Sequence, residues 1–207
     1  VMATGILGED AYGLVIEDSV VDLKDSSVDV TGSGGTLRGI VVTNASELIA
    51  DRAHVTVEGG LGTGTIRGVA GFGNTTDGTP DLDIRRSVIR VLGLPGKDGL
   101  RTSGAVLDLA DSTVEVSGGG VGLTQAGGAS KTTRVSVRGS SVRVTGGSSR
   151  IGLQNTLGTG PEQVSVFDSR IEATDIVSTA AGWTTHLVRS HLDGDPMTEG
   201  SNVLCRY

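Results

Sequence analysis

The sequence is poor in the residues that cross-link a chain or fill a bulky core. It has one cysteine, four prolines, two phenylalanines, two tyrosines and one tryptophan among 207 residues. A single cysteine, Cys205, excludes an internal disulfide framework and leaves the role of that thiol open. Large aromatic clusters are excluded as well, so the core must be built from small aliphatic side chains in thin layers.

The chain also lacks a basic surplus and long apolar runs. It carries 17 basic and 24 acidic residues, for a formal charge of −7. No basic stripe is present to neutralise phosphates, which argues against nucleic acid as a partner. No apolar run approaches the roughly 20 residues of a membrane span, and no signal peptide is visible. We therefore expect neither nucleic-acid binding nor membrane insertion.

The abundant feature is a repeat. A ten-residue unit alternates apolar residues with any residue, passes a corner residue and a serine, and then alternates again, as in residues 21–30 and 107–116. The small residue after the corner forms a column: Ser26, Ala53, Ser87, Ser112, Ser140, Ser169 and Ser190. A glycine followed by an aliphatic residue forms a second column: Gly13, Gly39, Gly68, Gly99, Gly122 and Gly152, with Asp175-Ile176 at that place in the seventh copy.

The phase of the alternation determines the fold class. Period-two alternation indicates strands with one buried face. Leu23 and Val28 are an odd number of residues apart, yet both belong to the apolar set, so the chain must turn a corner between them. The glycine column adds a third short strand, entered where a Cβ would be hindered. The repeat predicts an all-β, right-handed parallel β-helix of about six to seven coils, with three short strands per coil.

Other repeat architectures fit less well. A β-sandwich also alternates, but it would not repeat the serine and glycine columns in register. A left-handed hexapeptide helix needs an apolar residue every six positions, and a helical solenoid needs an apolar pattern with period 3.6. The sequence shows neither pattern. We predict one domain over residues 1–207, with an N-terminal edge or cap at 1–12, coils at 13–194, and a C-terminal cap or the start of a further segment at 195–207. We expect the chain to belong to a longer protein or an assembly, a trimer being one candidate.

The repeat resembles a known superfamily. The run Asp-Ser-Thr-Val-Glu-Val at residues 111–116 and the pair Gly122-Leu123 are similar to turns of the pectin-lyase-like right-handed parallel β-helix superfamily, most of all to the passenger repeats of bacterial autotransporter adhesins. The resemblance covers about residues 13–194. It implies a secreted or cell-surface protein and a structural or adhesive module that presents corner loops to a surface glycan or a protein receptor.

The same fold also serves enzymes and phage tailspikes, so two alternatives stay open. One is a polysaccharide lyase or hydrolase, and the other is a tailspike or fibre component. Glycoside hydrolysis requires paired carboxylates at a fixed separation, and the sequence shows no such cluster. We therefore favour a non-catalytic module and assign no catalytic residue.

One outward column carries charge. It consists of Asp29, Thr56, Arg90, Glu115, Arg143 and Glu172. From Arg90 onward the signs alternate, which stabilises neighbouring rungs and cancels the field that a charged ligand would feel. We predict a salt-bridge ladder there and not a binding strip.

Binding residues are sought at the longest insertions. Residues 71–80, 126–132 and 155–162 each precede the first strand of a unit, so their loops should cluster on one edge of the solenoid, a common binding surface. The candidate ligand-binding residues are Phe72, Asp77, Asp81, Asp83, Trp183 and His186. The three aspartates could bind Ca²⁺ through oxygen ligands, and a solvated acidic loop is the alternative. The histidines lack the convergent partners of a zinc site, so no other metal is expected.

Overall fold

The computed structural model describes residues 1–5, 9–60, 63–73, 78–93, 96–127, 133–156, 162–179, 182–195 and 203–206. All of its regular structure is β-strand. The strands are β1 (Met2–Gly5), β2 (Ala11–Glu17), β3 (Val20–Lys24), β4 (Ser27–Gly32), β5 (Gly35–Thr43), β6 (Glu47–Asp51), β7 (His54–Gly59), β8 (Thr63–Phe72), β9 (Asp81–Arg85), β10 (Val88–Leu92), β11 (Lys97–Ser103), β12 (Val106–Ala110), β13 (Thr113–Ser117), β14 (Gly120–Ala126), β15 (Arg134–Arg138), β16 (Ser141–Thr145), β17 (Arg150–Asn155), β18 (Glu162–Phe167), β19 (Arg170–Thr179), β20 (Trp183–Val188), β21 (His191–Asp195) and β22 (Val203–Arg206).

The strands form three parallel files, each running the length of the molecule. Face A contains β1, β4, β7, β10, β13, β16, the first part of β19, and β21; face B contains β3, β6, β9, β12, β15, β18, β20 and β22; face C contains β2, β5, β8, β11, β14, β17 and the second part of β19. The chain visits face B, then A, then C, and begins again. This confirms a parallel β-solenoid of about six turns with three strands per turn. Pairing of β1 with β4 and of β20 with β22 extends the stack beyond the predicted coil region at both ends.

Alternation along each strand fills the interior with short aliphatic side chains. On face A, Val114 and Val116 of β13 are fully buried and lie in register with Val142 and Val144 of β16. Glu115, between them, points outward. Because a single turn cannot bury its own apolar edge, each turn depends on the one above and the one below.

The serine column lies at the corner between faces B and A, as predicted, and it has a hydrogen-bonding role. The preceding corner residue has a positive φ in every turn: Asp25, Arg52, Arg86, Asp111, Gly139, Asp168 and Arg189. The backbone N–H of Ser87 donates to Oγ of Ser112 (3.0 Å), and the N–H of Ser112 donates to Oγ of Ser140 (3.1 Å). The Ser112 hydroxyl in turn donates to the carbonyl of Ala110 (2.7 Å). Serine therefore satisfies a backbone donor that the corner removes from the strand ladder.

The glycine column marks a bend in face C where two backbones approach closely. A Cβ placed on Gly122 would meet a methyl group of Val142 and would lie 2.8 Å from the carbonyl oxygen of Gly152. The last turn requires a correction of one residue. Ile151 pairs with Asp175 and Leu153 with Val177, so Ile176, and not Asp175, stands opposite Gly152.

Replacing Gly122 with alanine should therefore destabilise the solenoid. The new methyl group has no free volume, and overpacking of this kind costs about 2 kcal/mol. Gly60→Ala is the matched control, because its Cβ would find no heavy atom closer than 3.4 Å. Denaturant unfolding followed by circular dichroism measures both variants. Equal midpoints for the two would show that the bend is not a close approach.

Candidate functional site on face C

The structure spreads the predicted ligand-binding residues over two faces. Phe72 ends β8 on face C and is partly exposed. Asp81 and Asp83 lie on face B, where Asp83 accepts a hydrogen bond from Nε of Arg85 (2.7 Å). His186 shares the outward file of Asp83 but lies four rungs away. These side chains do not converge, and their assignment to a ligand stays a prediction.

Trp183 belongs to the interior. It is 1 % exposed, packs in the hydrophobic core, and donates its Nε1–H to the carbonyl of Thr156. The alternation Trp183, Thr185, Leu187 turns all three inward. An indole in this position has no surface to offer, so the geometry gives Trp183 a packing role and no support for the predicted contact with a ligand.

The predicted calcium ligands are only partly visible. Asp77 lies outside the described residues. Burial, followed by the neighbouring carboxylates of Glu47, Asp83 and Asp108, raises the pKa of Asp81. Among the residues that the structure describes, no three His, Cys, Asp or Glu side chains are placed to hold a metal ion. The three insertions do share the corner between faces C and B, but most of their residues fall outside the described ranges.

A different set of side chains converges on face C. The outward file just before the glycine column contains Tyr12, Arg38, Arg67 and Asp98 in successive turns. Two further side chains, Phe72 and Arg101, reach the same area. We call these six residues the arginine–aromatic strip.

The guanidinium groups of the strip lie over its rings. The Arg38 guanidinium is 5.4 Å from the ring centroid of Tyr12 and 5.6 Å from that of Phe72. The Arg67 guanidinium is 5.5 Å from the centroid of Phe72. All three separations fall within the ~6 Å range of a cation–π interaction. Stacking on both sides holds Arg38 in one place.

Asp98 is the only carboxylate of the strip, and it is 8 % exposed. It accepts hydrogen bonds from Nε of Arg67 and Nη1 of Arg101, both at 3.3 Å, and from Oγ1 of Thr124 at 2.6 Å. One carboxylate is thus shared between two guanidinium groups. Burial and then the Arg101 charge lower the pKa of Arg67, while the Asp98 charge acts in the opposite direction.

One end of the strip lies at a recess in the surface. Val41 and Ala70 lie outside the core cluster, yet they are only 5 % and 0 % exposed. These two outward-facing residues are therefore covered by neighbouring groups of face C. Further along the axis, a groove of about 350 Å³ is lined by Arg67, Asp98, Arg101 and the glycine-rich turn at 118–120.

Lys97 supports one wall of that groove. Its Nζ donates to the backbone carbonyls of Gly93 and of Ser117, the latter at 2.6 Å, and the side chain is buried. Burial lowers the pKa of Lys97. Because its donors are directed at the backbone turns, Lys97 ties two of them together and contributes little to the recess itself.

Face A contrasts with face C. There Nε of Arg90 lies 2.8 Å from Oε2 of Glu115, and Nε of Arg143 lies 3.1 Å from Oε1 of Glu172. Two ion pairs of the predicted ladder are confirmed, and Glu115 and Arg143 between them are register partners. The sequence contained an equivalent signal for face C, because the residue before each glycine falls in one file. The repeat analysis used the glycine and the aliphatic residue after it, and missed the residue before it.

Fold and strip together define a parallel β-solenoid with a recessed, arginine-rich face. No protein-family model, curated protein or solved structure matches the chain. Nothing in the described residues forms a helix long and apolar enough to cross a membrane.

One buried carboxyl group lies where the third insertion meets face B. Glu162, the first residue of β18, is 1 % exposed, and neither of its carboxyl oxygens has a hydrogen-bond partner among the residues that the structure describes. It lies in register with Trp183 of the next turn. Burial raises the pKa of Glu162 from 4.5 to about 7. The folded protein therefore prefers the protonated form of this group.

Glu162 should make stability depend on pH. Its raised folded-state pKa gives a contribution that is fully present below pH 4.5 and is lost as the pH rises to about 7. At about 1.36 kcal/mol per pKa unit, the free energy of unfolding should fall by about 3 kcal/mol across that window. Glu162→Gln should remove this dependence. The double variant Glu162→Gln/Gln163→Glu, which moves the carboxyl to the exposed neighbour, should behave like Glu162→Gln. A wild-type curve parallel to that of Glu162→Gln would contradict the burial argument.

Proposed function

We propose that the chain is a non-catalytic structural or adhesive module of a secreted or cell-surface bacterial protein, and that it presents face C to a glycan or protein receptor. The observation that supports this most is the arginine–aromatic strip, which crosses four successive turns in register. Rings and guanidinium groups held at a recess offer stacking and hydrogen bonding to a bound surface.

The solenoid suits this role because it is rigid and additive. Each turn contacts its neighbours through three parallel strand pairs, so a row of side chains keeps the spacing of the backbone ladder, about 4.8 Å per turn. A ligand that lies along the axis meets the same chemistry at regular intervals. Such a surface needs no moving part and no reactive group.

Membership of the pectin-lyase-like superfamily, and kinship with autotransporter passenger repeats, remain part of the proposal. They are supported by the three strands per turn, by the hydroxyl-lined corner and by the glycine column that bends face C. The secreted or cell-surface location follows from the same resemblance.

A second candidate, a polysaccharide lyase or hydrolase, is favoured by one observation. Asp98 meets Arg67 and Arg101 in a groove, and this is the kind of acidic and basic convergence that an enzyme of this fold needs. However, both Asp98 oxygens already accept hydrogen bonds, from Thr124 and from the two arginines, and the strip holds no second carboxylate for hydrolysis.

Receptor binding can be tested on immobilised glycans and on purified cell-surface proteins. We expect the wild-type module to bind a subset of these, and Tyr12→Ala/Phe72→Ala to lose at least about tenfold in affinity, since stacked contacts of this kind contribute 1 kcal/mol or more. Phe167→Ala, an aromatic substitution on face B, is the matched control and should bind normally. Loss of stacking should leave the circular dichroism spectrum unchanged. Undiminished binding by the double variant would remove face C from the proposal.

Incubation with uronate polysaccharides, with detection of unsaturated products and of reducing ends, separates the enzyme from the binding module. We expect no product from the wild-type chain. Product that disappears with Asp98→Ala, and persists with Asp108→Ala on face B, would establish the enzymatic reading in place of the non-catalytic one.

A further inference from the structure

We infer that Arg38 is a binding site for a carboxylate group of the ligand. This inference rests on the proposed function, because it names the ligand chemistry of the same face. Two sources could supply the group, a uronate residue of an acidic glycan or an acidic side chain of a peptide, and the experiment below distinguishes them.

Arg38 has hydrogen-bonding capacity that the protein leaves unused. Among the described residues Arg38 forms no ion pair and donates no hydrogen bond. Its Nε is buried, whereas the side chain as a whole is partly exposed, so the unused donors that a ligand can reach are those of the guanidinium Nη atoms. The closest candidate, Asp10, is engaged elsewhere. It accepts from the backbone N–H of Thr36 at 2.6 Å and from the Tyr12 hydroxyl at 3.1 Å. Arg38 therefore retains donors for an incoming group.

The rings on either side orient these donors in advance. A guanidinium that lies within cation–π range of both Tyr12 and Phe72 is restricted in its side-chain freedom before any ligand binds. The cost of ordering a long side chain on binding is correspondingly small. Its planar fork matches the two oxygens of a carboxylate, which favours a bidentate contact.

The surrounding charges also favour an anion. Arg38 and Arg67 are direct partners in adjacent turns, and like charges placed opposite each other repel. Arg101 lies on the other side of Arg67, and both share Asp98. Three cations thus face two carboxylates, Asp98 and, near Arg38, Asp10, which leaves one positive charge uncompensated in a protein whose net charge is negative. On face A the same spacing carries alternating signs. A bound carboxylate supplies the negative charge that face C lacks.

Titration calorimetry with two probes tests the site. A short oligouronate and an oligoglutamate peptide are compared with a neutral oligosaccharide and oligoglutamine, at low and at moderate salt. We expect wild-type protein to bind one carboxylate probe and neither neutral probe, with affinity that falls as salt rises. The probe that binds identifies the source of the carboxylate.

Variants of Arg38 locate the binding. Arg38→Ala should weaken binding of that probe by about tenfold or more, as expected for loss of a charge-assisted hydrogen bond. Arg38→Lys should recover only part of it, because lysine keeps the charge and loses the fork. Arg143→Ala, which removes an arginine from face A, should bind as the wild type does. Wild-type protein that binds neither carboxylate probe, or Arg38→Ala that binds like wild type, overturns the inference.

Asp98→Asn separates a binding site from a purely structural ladder. The asparagine can still accept the hydrogen bond from Thr124, but it removes the negative charge of Asp98. We expect tighter binding of the carboxylate probe and a steeper salt dependence, together with a lower melting temperature in anion-free buffer. Weaker binding by Asp98→Asn would count against the site. If the protein binds the carboxylate probe but no receptor, the assignment of Arg38 stands and the proposed function is refuted. If the protein binds a receptor, and Tyr12→Ala/Phe72→Ala abolishes that binding whereas Arg38→Ala does not affect it, the proposed function stands and the Arg38 site is refuted.

Discussion

The whole molecule depends on the parallel hydrogen-bond ladder between consecutive turns. Each strand finds its partner in the equivalent strand of the next turn, so the backbone of one turn is satisfied only by its neighbours. The ladder brings residues that are distant in sequence into vertical files. Along a file, the side-chain chemistry either stays the same from turn to turn or changes by single substitutions. The properties of a face follow from its files.

The three faces show how one ladder supports different outcomes. Face A places opposite charges next to each other, so the charges neutralise one another locally. The corner between faces B and A uses serine to complete the backbone hydrogen bonds. Face C places Arg38 beside Arg67, so like charges lie next to each other, and Arg67 also lines a groove together with Asp98 and Arg101. The difference between a structural face and a candidate binding face is thus the order of charges along a file, together with the shape that glycine allows.

The repeat was sufficient to predict the architecture, since alternation, the phase change at the corner and the two columns are local signals. It assigned the face A ladder to Arg90 and Glu115 for the same reason. It was insufficient for the groove on face C, because the residues that line the groove come from several turns. The repeat could also have revealed the file of Arg38 and Arg67, because each of them directly precedes a glycine of the glycine column. The same alternation that predicted inward valines would also have placed Trp183 inside. The one-residue error at Asp175 arose because the last turn has no glycine to fix the register.

The serine corner has a direction. Each hydroxyl accepts from the turn before it and donates within its own turn, so the bonds run one way along the axis. Ala53 has no hydroxyl to receive the N–H of Ser26, and the series is interrupted between the first two turns. At this corner the N-terminal turn therefore has one hydrogen bond fewer than the turns between Ala53 and Ser190. Unfolding of the solenoid should begin at that end and advance toward the turns whose serine corners are hydrogen-bonded without interruption.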